Sequence, residues 1–201
     1  MARPLVIGLT GGLAAGKTSV ARMLKRLGAE VVDSDLLAHQ ALKKGTPAYR
    51  QILRVFGKEN VCAAGGRIDR PKLGRLVFRE PAKRKRLEKI VHPFVFRELK
   101  RAVQTSRKQA VVLEVPLLFE TGFDKNVDFA VVVSAPRGVQ IRRACAKFKW
   151  SPAEAGKRIG AQWPLRKKEA QADFIIRNGR SWAAAAAQVK QFWKKVNQSP
   201  S

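Results

Sequence analysis

Acidic side chains are scarce in this chain of 201 residues, which has 15 Asp and Glu against 41 Lys and Arg and a formal net charge of +26. Such a field attracts polyanions and speeds the capture of anionic ligands. Nucleic acid is one such ligand, but the basic residues are spread along the whole chain, without a basic tail or an aromatic-interleaved RNA motif. A solvated basic surface around a site for a highly anionic substrate is therefore favoured over a dedicated nucleic-acid interface.

Cysteine and histidine are also rare. Cys62 and Cys145 lie far apart in the sequence, which argues against a disulfide framework and fits a reducing compartment. The two histidines, His39 and His92, have no acidic residue at ligand spacing, so a metal site built on them is poorly supported. No apolar run approaches membrane-spanning length, and no signal peptide is recognisable. We expect a cytoplasmic monomer without a membrane partner.

The chain does contain a phosphate-binding loop sequence. Residues 11–18 read Gly-Gly-Leu-Ala-Ala-Gly-Lys-Thr and fit the pattern G-x-x-x-x-G-K-[ST]. The apolar run Leu5–Leu9 before the loop predicts a buried strand, and the amphipathic segment 19–27 after it predicts a helix. This context favours a nucleotide-binding loop over a chance glycine-rich turn.

A loop of this kind predicts a definite chemistry for ATP and Mg²⁺. Backbone N–H groups of the loop and of the following helix should surround the phosphate oxygens. Lys17 should reach the β- and γ-phosphates, and the Thr18 hydroxyl should hold Mg²⁺. The nucleotide-binding residues predicted from the loop are Gly12, Ala14, Ala15, Gly16, Lys17, Thr18 and Ser19.

Five short apolar runs, rich in β-branched residues, predict a parallel sheet covered on both faces. They are Leu5–Leu9, Glu30–Val32, Ala110–Val115, Phe129–Ser134 and Phe174–Ile176. Helix-like segments alternate with them, which is the α/β pattern. Thr46, Ser151 and Ser181 stand at predicted helix N-caps. Pro93 should end or kink a long helical stretch at His92.

The predicted organisation has three parts. Residues 1–35, 108–143 and 172–201 form the nucleotide-binding core. Residues 36–107 have helical periodicity and little strand signal, which predicts a helical subdomain for the second substrate. Residues 144–171 are rich in Lys and Arg and broken by Pro and Gly, which predicts a mobile lid.

Carboxylates at strand ends are the candidate acid–base and metal groups, because ligands of parallel sheets bind at the carboxyl ends of strands. Asp33 is the predicted base for an alcohol acceptor, which is favoured over a role as a helix N-cap. Asp35 is equally a Mg²⁺ ligand through water or the N-cap of a helix starting at Leu36. Glu114 either serves the metal or bonds to nearby backbone. Glu120 is either a substrate contact or a surface acid.

The chain resembles the dephospho-coenzyme A kinases over nearly its whole length. The segments that carry this likeness, after the phosphate loop, are 32–35, 73–78, 87–93, 115–120, Gln140 with Arg143, Arg158-Ile159 with Gln162, and 172–176 with Asn178. The phosphate loop alone is shared by many kinases. The Asp-x-Asp, His-Pro and Pro-Leu-Leu-Phe-Glu segments in this order are specific.

The resemblance implies an α/β P-loop kinase fold: a five-stranded parallel sheet flanked by helices, with a helical substrate-binding insertion and a lid. It implies transfer of the ATP γ-phosphate to the ribose 3′-hydroxyl of dephospho-coenzyme A, the last step of coenzyme A biosynthesis. By this likeness Asp33 is the base, Lys17 and Arg143 stabilise the transferring group, and Asn178 lies near the adenine. The residues implied on the substrate side are Asp33, Arg75, His92, Leu117 and Glu120.

Two positions depart from the usual pattern of these kinases. Ala14-Ala15 replaces a Gly-Ser pair in the loop, and Lys147-Phe148 stands where Arg followed by an acidic or amide residue is common. Lys cannot make the planar bidentate contact of Arg, which weakens any assignment in the lid. The alternatives are another P-loop small-molecule or nucleotide kinase and a nucleic-acid-binding P-loop protein. Nucleotide-monophosphate kinases accept on a phosphate oxygen and need no base such as Asp33.

Overall fold

The computed structural model describes residues 3–198, without the side chains of residues 79, 197 and 198. The chain divides into two compact units, one formed by the residues up to 32 and from 103 onward, the other by residues 33–102. Residues 1, 2 and 199–201 of the predicted core lie outside the described part. The functional division into core, substrate subdomain and lid stays a prediction.

A five-stranded parallel sheet forms the centre of the first unit, in the order β2-β3-β1-β4-β5. The strands are β1 (Leu5–Gly11), β2 (Glu30–Asp33), β3 (Ala110–Glu114), β4 (Phe129–Ser134) and β5 (Phe174–Arg177). In the central strand, Ile7 is in register with Val112 of β3 and Phe129 of β4. The five predicted strands and the fold class are therefore confirmed, with β1 running two residues further, as far as the glycine that opens the loop.

Helices alternate with these strands along the chain. They are α1 (Lys17–Arg26), α7 (Arg137–Phe148), α8 (Pro152–Gly160), α9 (Leu165–Glu169) and α10 (Trp182–Gln198), with a 3₁₀ turn at Phe123–Asn126. Leu24 of α1 and Phe192 of α10 are buried in one cluster with Ile7 and Val131 of the sheet. Full burial of one such side chain contributes about 1.5–3 kcal/mol, so this core fixes the start of α1 against the end of β1.

The second unit is helical, as predicted. Its helices are α2 (Ser34–Ala41), α3 (Pro47–Phe56), α4 (Lys58–Val61), α5 (Arg70–Arg79) and α6 (Pro81–Thr105). The predicted cap of α3 is confirmed, since the Thr46 hydroxyl accepts a hydrogen bond from the Tyr49 amide at 3.0 Å. Ile52, Phe56 and Leu73 form its own buried core. Within residues 3–198, none of the helices combines the length and apolar character that a membrane span requires.

Pro93 does not end its helix. The sequence predicts an end or a kink at this proline, and the helix α6 continues through Pro93 to Thr105, which excludes the end at His92. A proline inside a helix costs about 3 kcal/mol, because it removes one hydrogen bond and crowds the preceding turn. Val95 and Leu99 are buried in the turns that follow. Burial of two such side chains is large enough to offset that cost.

The N-cap of α2 is Asp33 rather than Asp35. Helix α2 begins at Ser34, and the Asp35 amide donates a hydrogen bond to Asp33 Oδ1 at 2.8 Å. The expectation that Asp35 caps a helix starting at Leu36 is therefore wrong. Asp35 instead lies in the first turn, where its negative charge stabilises the helix dipole.

Candidate active site

The phosphate loop connects β1 to α1 through a backbone that requires glycine at position 16. Gly16 has φ +100°, and a Cβ atom built there would lie 2.0 Å from Asn178 Nδ2. The Asn178 side chain donates to the Ala15 carbonyl at 2.8 Å, and Arg143 Nη1 donates to the same carbonyl at 3.3 Å. Two residues predicted from distant segments, on α7 and after β5, therefore meet at the loop backbone.

The Lys17 side chain folds back over the loop. Its ammonium group donates to the carbonyl oxygens of Gly11 and Gly12, each at 3.2 Å. Lys17 is also the first residue of α1, and no acidic residue occupies the first turn of that helix. A cation and the positive end of a helix dipole therefore coincide at this loop, which is the electrostatic arrangement that binds phosphate.

Thr18 and Glu114 supply oxygen atoms beside the loop. The Thr18 hydroxyl donates to Glu114 Oε1 at 3.0 Å. Glu114 is the last residue of β3 and only 7% exposed. Hydroxyl and carboxylate oxygens are the hard donors that Mg²⁺ prefers, and protein sites often hold this ion through few side chains together with substrate phosphates. The donor set therefore fits the predicted ion.

Ala14 adopts a left-handed backbone conformation, with φ 56°. Among the described residues, Ala14 and Lys149 are the two non-glycine residues with positive φ. The resemblance to the dephospho-coenzyme A kinases predicts glycine at this position. For a residue with a Cβ atom, this conformation costs about 1–2 kcal/mol. The loop of this chain therefore carries local strain.

We expect Ala14→Gly to raise the free energy of unfolding by about 0.5–1 kcal/mol, because relief of strain outweighs the greater freedom of the unfolded glycine. Urea denaturation followed by circular dichroism measures the change. Ala15→Gly is the matched control, since Ala15 is fully buried and its methyl group is lost without relief of strain. If Ala14→Gly lowered the free energy of unfolding as much as the control does, Ala14 would not be strained.

Gln140 is a site residue that the motif analysis did not assign. Its amide Nε2 donates to the Ala135 carbonyl at 2.7 Å, while a Cβ atom at Gly12 would lie 2.5 Å from its Oε1. Gln140 therefore packs directly against the start of the phosphate loop. The available signal was its spacing, because Gln140 and Arg143 are three residues apart on α7 and share a helix face.

The turn after β3 holds the predicted substrate residues Leu117 and Glu120. The Leu117 carbonyl accepts a hydrogen bond from the Thr121 hydroxyl at 2.8 Å, which closes the turn. Glu120 is not a surface acid, since its side chain is 14% exposed and its Oε1 lies 2.8 Å from Lys168 Nζ. Of the two roles that the sequence left open for Glu120, a surface acid is excluded and a substrate contact remains.

The remaining predicted residues, Asp33, Arg75 and His92, belong to the second unit. Asp33 closes β2 and caps α2, while Arg75 is exposed on α5. His92 on α6 stacks on Phe96, with ring centroids 5.6 Å apart. Burial lowers the pKa of His92, and the nearby Glu88 carboxylate opposes that shift more weakly. His92 is therefore neutral at pH 7 and suited to hydrogen bonding rather than charge pairing.

The sheet order, the loop and its lysine define a P-loop kinase. The family model of dephospho-CoA kinase matches residues 5–183. A dephospho-CoA kinase of Bacillus thuringiensis subsp. konkukian (strain 97-27) is 42% identical over 196 residues, which cover 96% of this chain and 98% of that protein. The chain therefore belongs to the dephospho-CoA kinase family and is an ATP-dependent kinase.

Solved structures agree with this assignment. The crystal structure of TT1252 from Thermus thermophilus has a TM-score of 0.87 and 31% identity, covering 99% of this chain and 100% of that one. A dephospho-CoA kinase from Campylobacter jejuni has a TM-score of 0.69 and 27% identity, covering 95% and 96%. None of these findings favours the alternative nucleotide kinase or nucleic-acid-binding protein.

Proposed function

We propose that this chain transfers the γ-phosphate of ATP to the ribose 3′-hydroxyl of dephospho-coenzyme A. The observation that carries the proposal is the Lys17 ammonium group folded over the Gly11 and Gly12 carbonyls at the start of α1. That arrangement provides the positive charge that a triphosphate needs. Family membership supplies the choice of acceptor.

Each loop residue has a distinct task in this proposal. Backbone N–H groups of the loop and of the start of α1 bind the phosphate oxygens, and Lys17 neutralises charge on the β- and γ-phosphates. Arg143, which is held at the Ala15 carbonyl, adds a second cation for the transferring phosphoryl group. Asn178 shares that carbonyl and is assigned to the adenine side of the ATP site.

Asp33 is the proposed base. Its carboxylate takes the proton from the 3′-hydroxyl as that oxygen bonds to the γ-phosphorus and the bond to the β-phosphate oxygen breaks. The hydrogen bond from the Asp35 amide to Oδ1 fixes the orientation of this carboxylate. Arg75, His92, Leu117 and Glu120 are assigned to the acceptor side. A carboxylate base suits an alcohol acceptor, since a phosphate acceptor has no proton that must be removed.

Thr18 and Glu114 are the residues that would hold Mg²⁺. When bound, the ion supplies neutralisation of the β- and γ-phosphate oxygens. The Thr18 hydroxyl is suited to contact the ion directly. Glu114 accepts its hydrogen bond, which orients the hydroxyl oxygen lone pairs.

We expect Thr18→Val to raise the Mg²⁺ concentration for half-maximal activity by about tenfold or more, because it removes an oxygen ligand at nearly constant volume. Calorimetric titration gives a second readout: ATP affinity in EDTA should be unchanged, while the gain on adding Mg²⁺ should be lost. Thr18→Ser, which keeps the hydroxyl, is the control. An unchanged Mg²⁺ dependence in Thr18→Val would refute the assignment.

A phosphate-transfer assay tests the proposed function directly. The purified chain is given ATP and Mg²⁺ with dephospho-coenzyme A, AMP or shikimate as acceptor. We expect ATP to be consumed only with dephospho-coenzyme A, with the product phosphorylated at the 3′-oxygen. Equal consumption with either other acceptor, or none with dephospho-coenzyme A, would refute the proposal.

We also infer that the enzyme acts as a monomer in the cytoplasm. Cys62 and Cys145 are unbridged, and the first of them is buried, which is compatible with a reducing compartment. Light scattering at assay concentration tests the oligomeric state. A dimer mass there would contradict this part of the proposal.

A further inference from the structure

One lysine of the basic segment 144–171 is entirely buried. Lys168 on α9 has no exposed side-chain surface. Its ammonium group donates to the Pro116 carbonyl at 2.7 Å and lies 2.8 Å from Glu120 Oε1. Burying a charge is unfavourable by several kcal/mol unless it is paired and hydrogen-bonded. A lysine that served only to make the surface basic would not be buried in this way.

Glu120 has an oxygen atom that nothing in the described part of the chain satisfies. Its Oε1 accepts from Lys168 and, at 3.3 Å, from the Trp163 amide. Its Oε2 is buried, and no group within residues 3–198 donates a hydrogen bond to it. A buried carboxylate oxygen without a donor is costly, so its retention points to a donor that arrives with a ligand.

The Pro116 carbonyl joins this network to the central strand. It accepts from the Thr10 hydroxyl at 3.1 Å as well as from Lys168. Thr10 is a buried residue of β1, directly before the phosphate loop. The turn after β3 therefore stays hydrogen-bonded to Thr10 of β1 when Lys168 is removed, while Glu120 loses its only described cation.

We propose that Lys168 is a positioning residue that holds Glu120 so that Oε2 accepts a hydrogen bond from a hydroxyl or amide N–H of the phosphoryl acceptor. Lys168 acts at one carboxylate oxygen and the acceptor at the other. This assignment rests on the proposed function, since the acceptor is the ligand that supplies the donor. It predicts that Lys168 governs acceptor affinity and leaves ATP affinity to Lys17, Arg143 and Asn178.

A purely structural ion pair would behave differently. Its removal would lower the melting temperature and affect both substrates alike or neither, because no bond to the acceptor depends on it. The separation of the two KM values therefore distinguishes positioning from structural support.

The test is Lys168→Met in the full chain, with the KM for dephospho-coenzyme A and for ATP measured at a temperature where the variant is folded. We expect the acceptor KM to rise by about tenfold or more, while the ATP KM changes by less than about twofold. Lys167→Met is the matched control. Lys167 is the adjacent exposed residue, with its ammonium over the Trp163 ring, so neither KM should change.

Glu120→Gln provides an independent arm that keeps an acceptor oxygen for Lys168 Nζ. It replaces Oε2 by an NH₂ donor, which cannot accept a hydrogen bond from the substrate. We expect a rise in acceptor KM similar to that of Lys168→Met. The double variant should be about as impaired as either single variant, because both changes disable one interaction.

Several outcomes would overturn the proposal. They are an equal rise in both KM values in Lys168→Met, an unchanged acceptor KM, or multiplying effects in the double variant. If Lys168→Met does not fold, Glu120→Gln decides: normal calorimetric binding of dephospho-coenzyme A refutes the proposal, and weakened binding supports it. A wild-type chain that fails to phosphorylate dephospho-coenzyme A refutes the proposed function itself, whereas an active wild type with an unaffected variant refutes only this inference.

Discussion

Asp33→Asn is expected to lower kcat by about 10²- to 10⁴-fold, because the amide cannot take a proton from the acceptor hydroxyl. ATP affinity should be nearly unchanged, since the phosphate loop is not altered. The substitution isolates catalysis from folding. Asp33 caps α2 through Oδ1, and Asn is as good an N-cap as Asp, so its side-chain oxygen can keep the hydrogen bond from the Asp35 amide.

Steady-state kinetics and calorimetric ATP binding test this prediction. Asp69→Asn is the control, because it makes the same change at the N-cap of α5, where Asp69 accepts a hydrogen bond from the Lys72 amide at 3.0 Å, without removing the proposed base. We expect that control to keep kcat within about threefold and to lose no more than about 1 kcal/mol of stability from the helix dipole. An Asp33→Asn variant with wild-type turnover would disprove the base assignment.

Lys17→Ala is expected to impair both binding and chemistry. The ammonium group lies at the start of α1 and directly over the loop carbonyls, where the β- and γ-phosphates should bind. Loss of one preorganised charge at a reacting oxyanion lowers kcat by about 10²- to 10³-fold. The same charge contributes to binding of the ground-state triphosphate, so the ATP KM should also rise by about tenfold or more.

Lys25→Ala is the matched control for this prediction. Lys25 is an exposed lysine in the last turn of the same helix, so its removal tests helix propensity and net charge without touching the loop. We expect wild-type kinetics for this control. If the ATP KM and kcat of Lys17→Ala both stay within about twofold of wild type, Lys17 has no role in ATP binding or in phosphoryl transfer.

The sheet was predictable because parallel strands are covered on both faces and so read as short, nearly continuous apolar runs. Helix starts were predictable where a hydroxyl side chain precedes the first turn. Ser151 accepts from the Glu154 amide at 3.2 Å, and Ser181 from the Ala184 amide at 3.2 Å, as expected. The apolar runs and the N-cap residues are both local features, so they can be recognised without knowledge of the tertiary fold.

The sequence left alternatives open at Pro93 and at the start of α2. Pro93 disfavours a helix interior, yet the buried Val95 and Leu99 keep α6 continuous. Asp33 and Asp35 were both N-cap candidates because both are good N-caps, and only the backbone geometry shows that Asp33 caps α2. In each case, two local preferences competed and a nonlocal contact or a dihedral angle decided.

The candidate site divides in the same way. The position of the phosphate loop, from Gly12 to Ser19, was predictable because its residues are contiguous and match a motif that is typical of phosphate binding. Asn178 was predicted only through the family resemblance, and Gln140 was given no role, since their contacts with the loop span more than a hundred residues of sequence. Lys168 carried no sequence signal at all among 41 basic residues.

By itself, the sequence determined the class of the protein, because a phosphate loop between an apolar strand and an amphipathic helix is written in consecutive residues. It also determined the order of strands and helices, since the periodicity of apolar residues can be read from short stretches of sequence. Only the tertiary structure decided that Lys168 is buried against Glu120 and that Thr18 bonds to Glu114. Whether a charge is solvated or paired depends on which distant segments the fold brings within about 4 Å, and no local pattern encodes that distance.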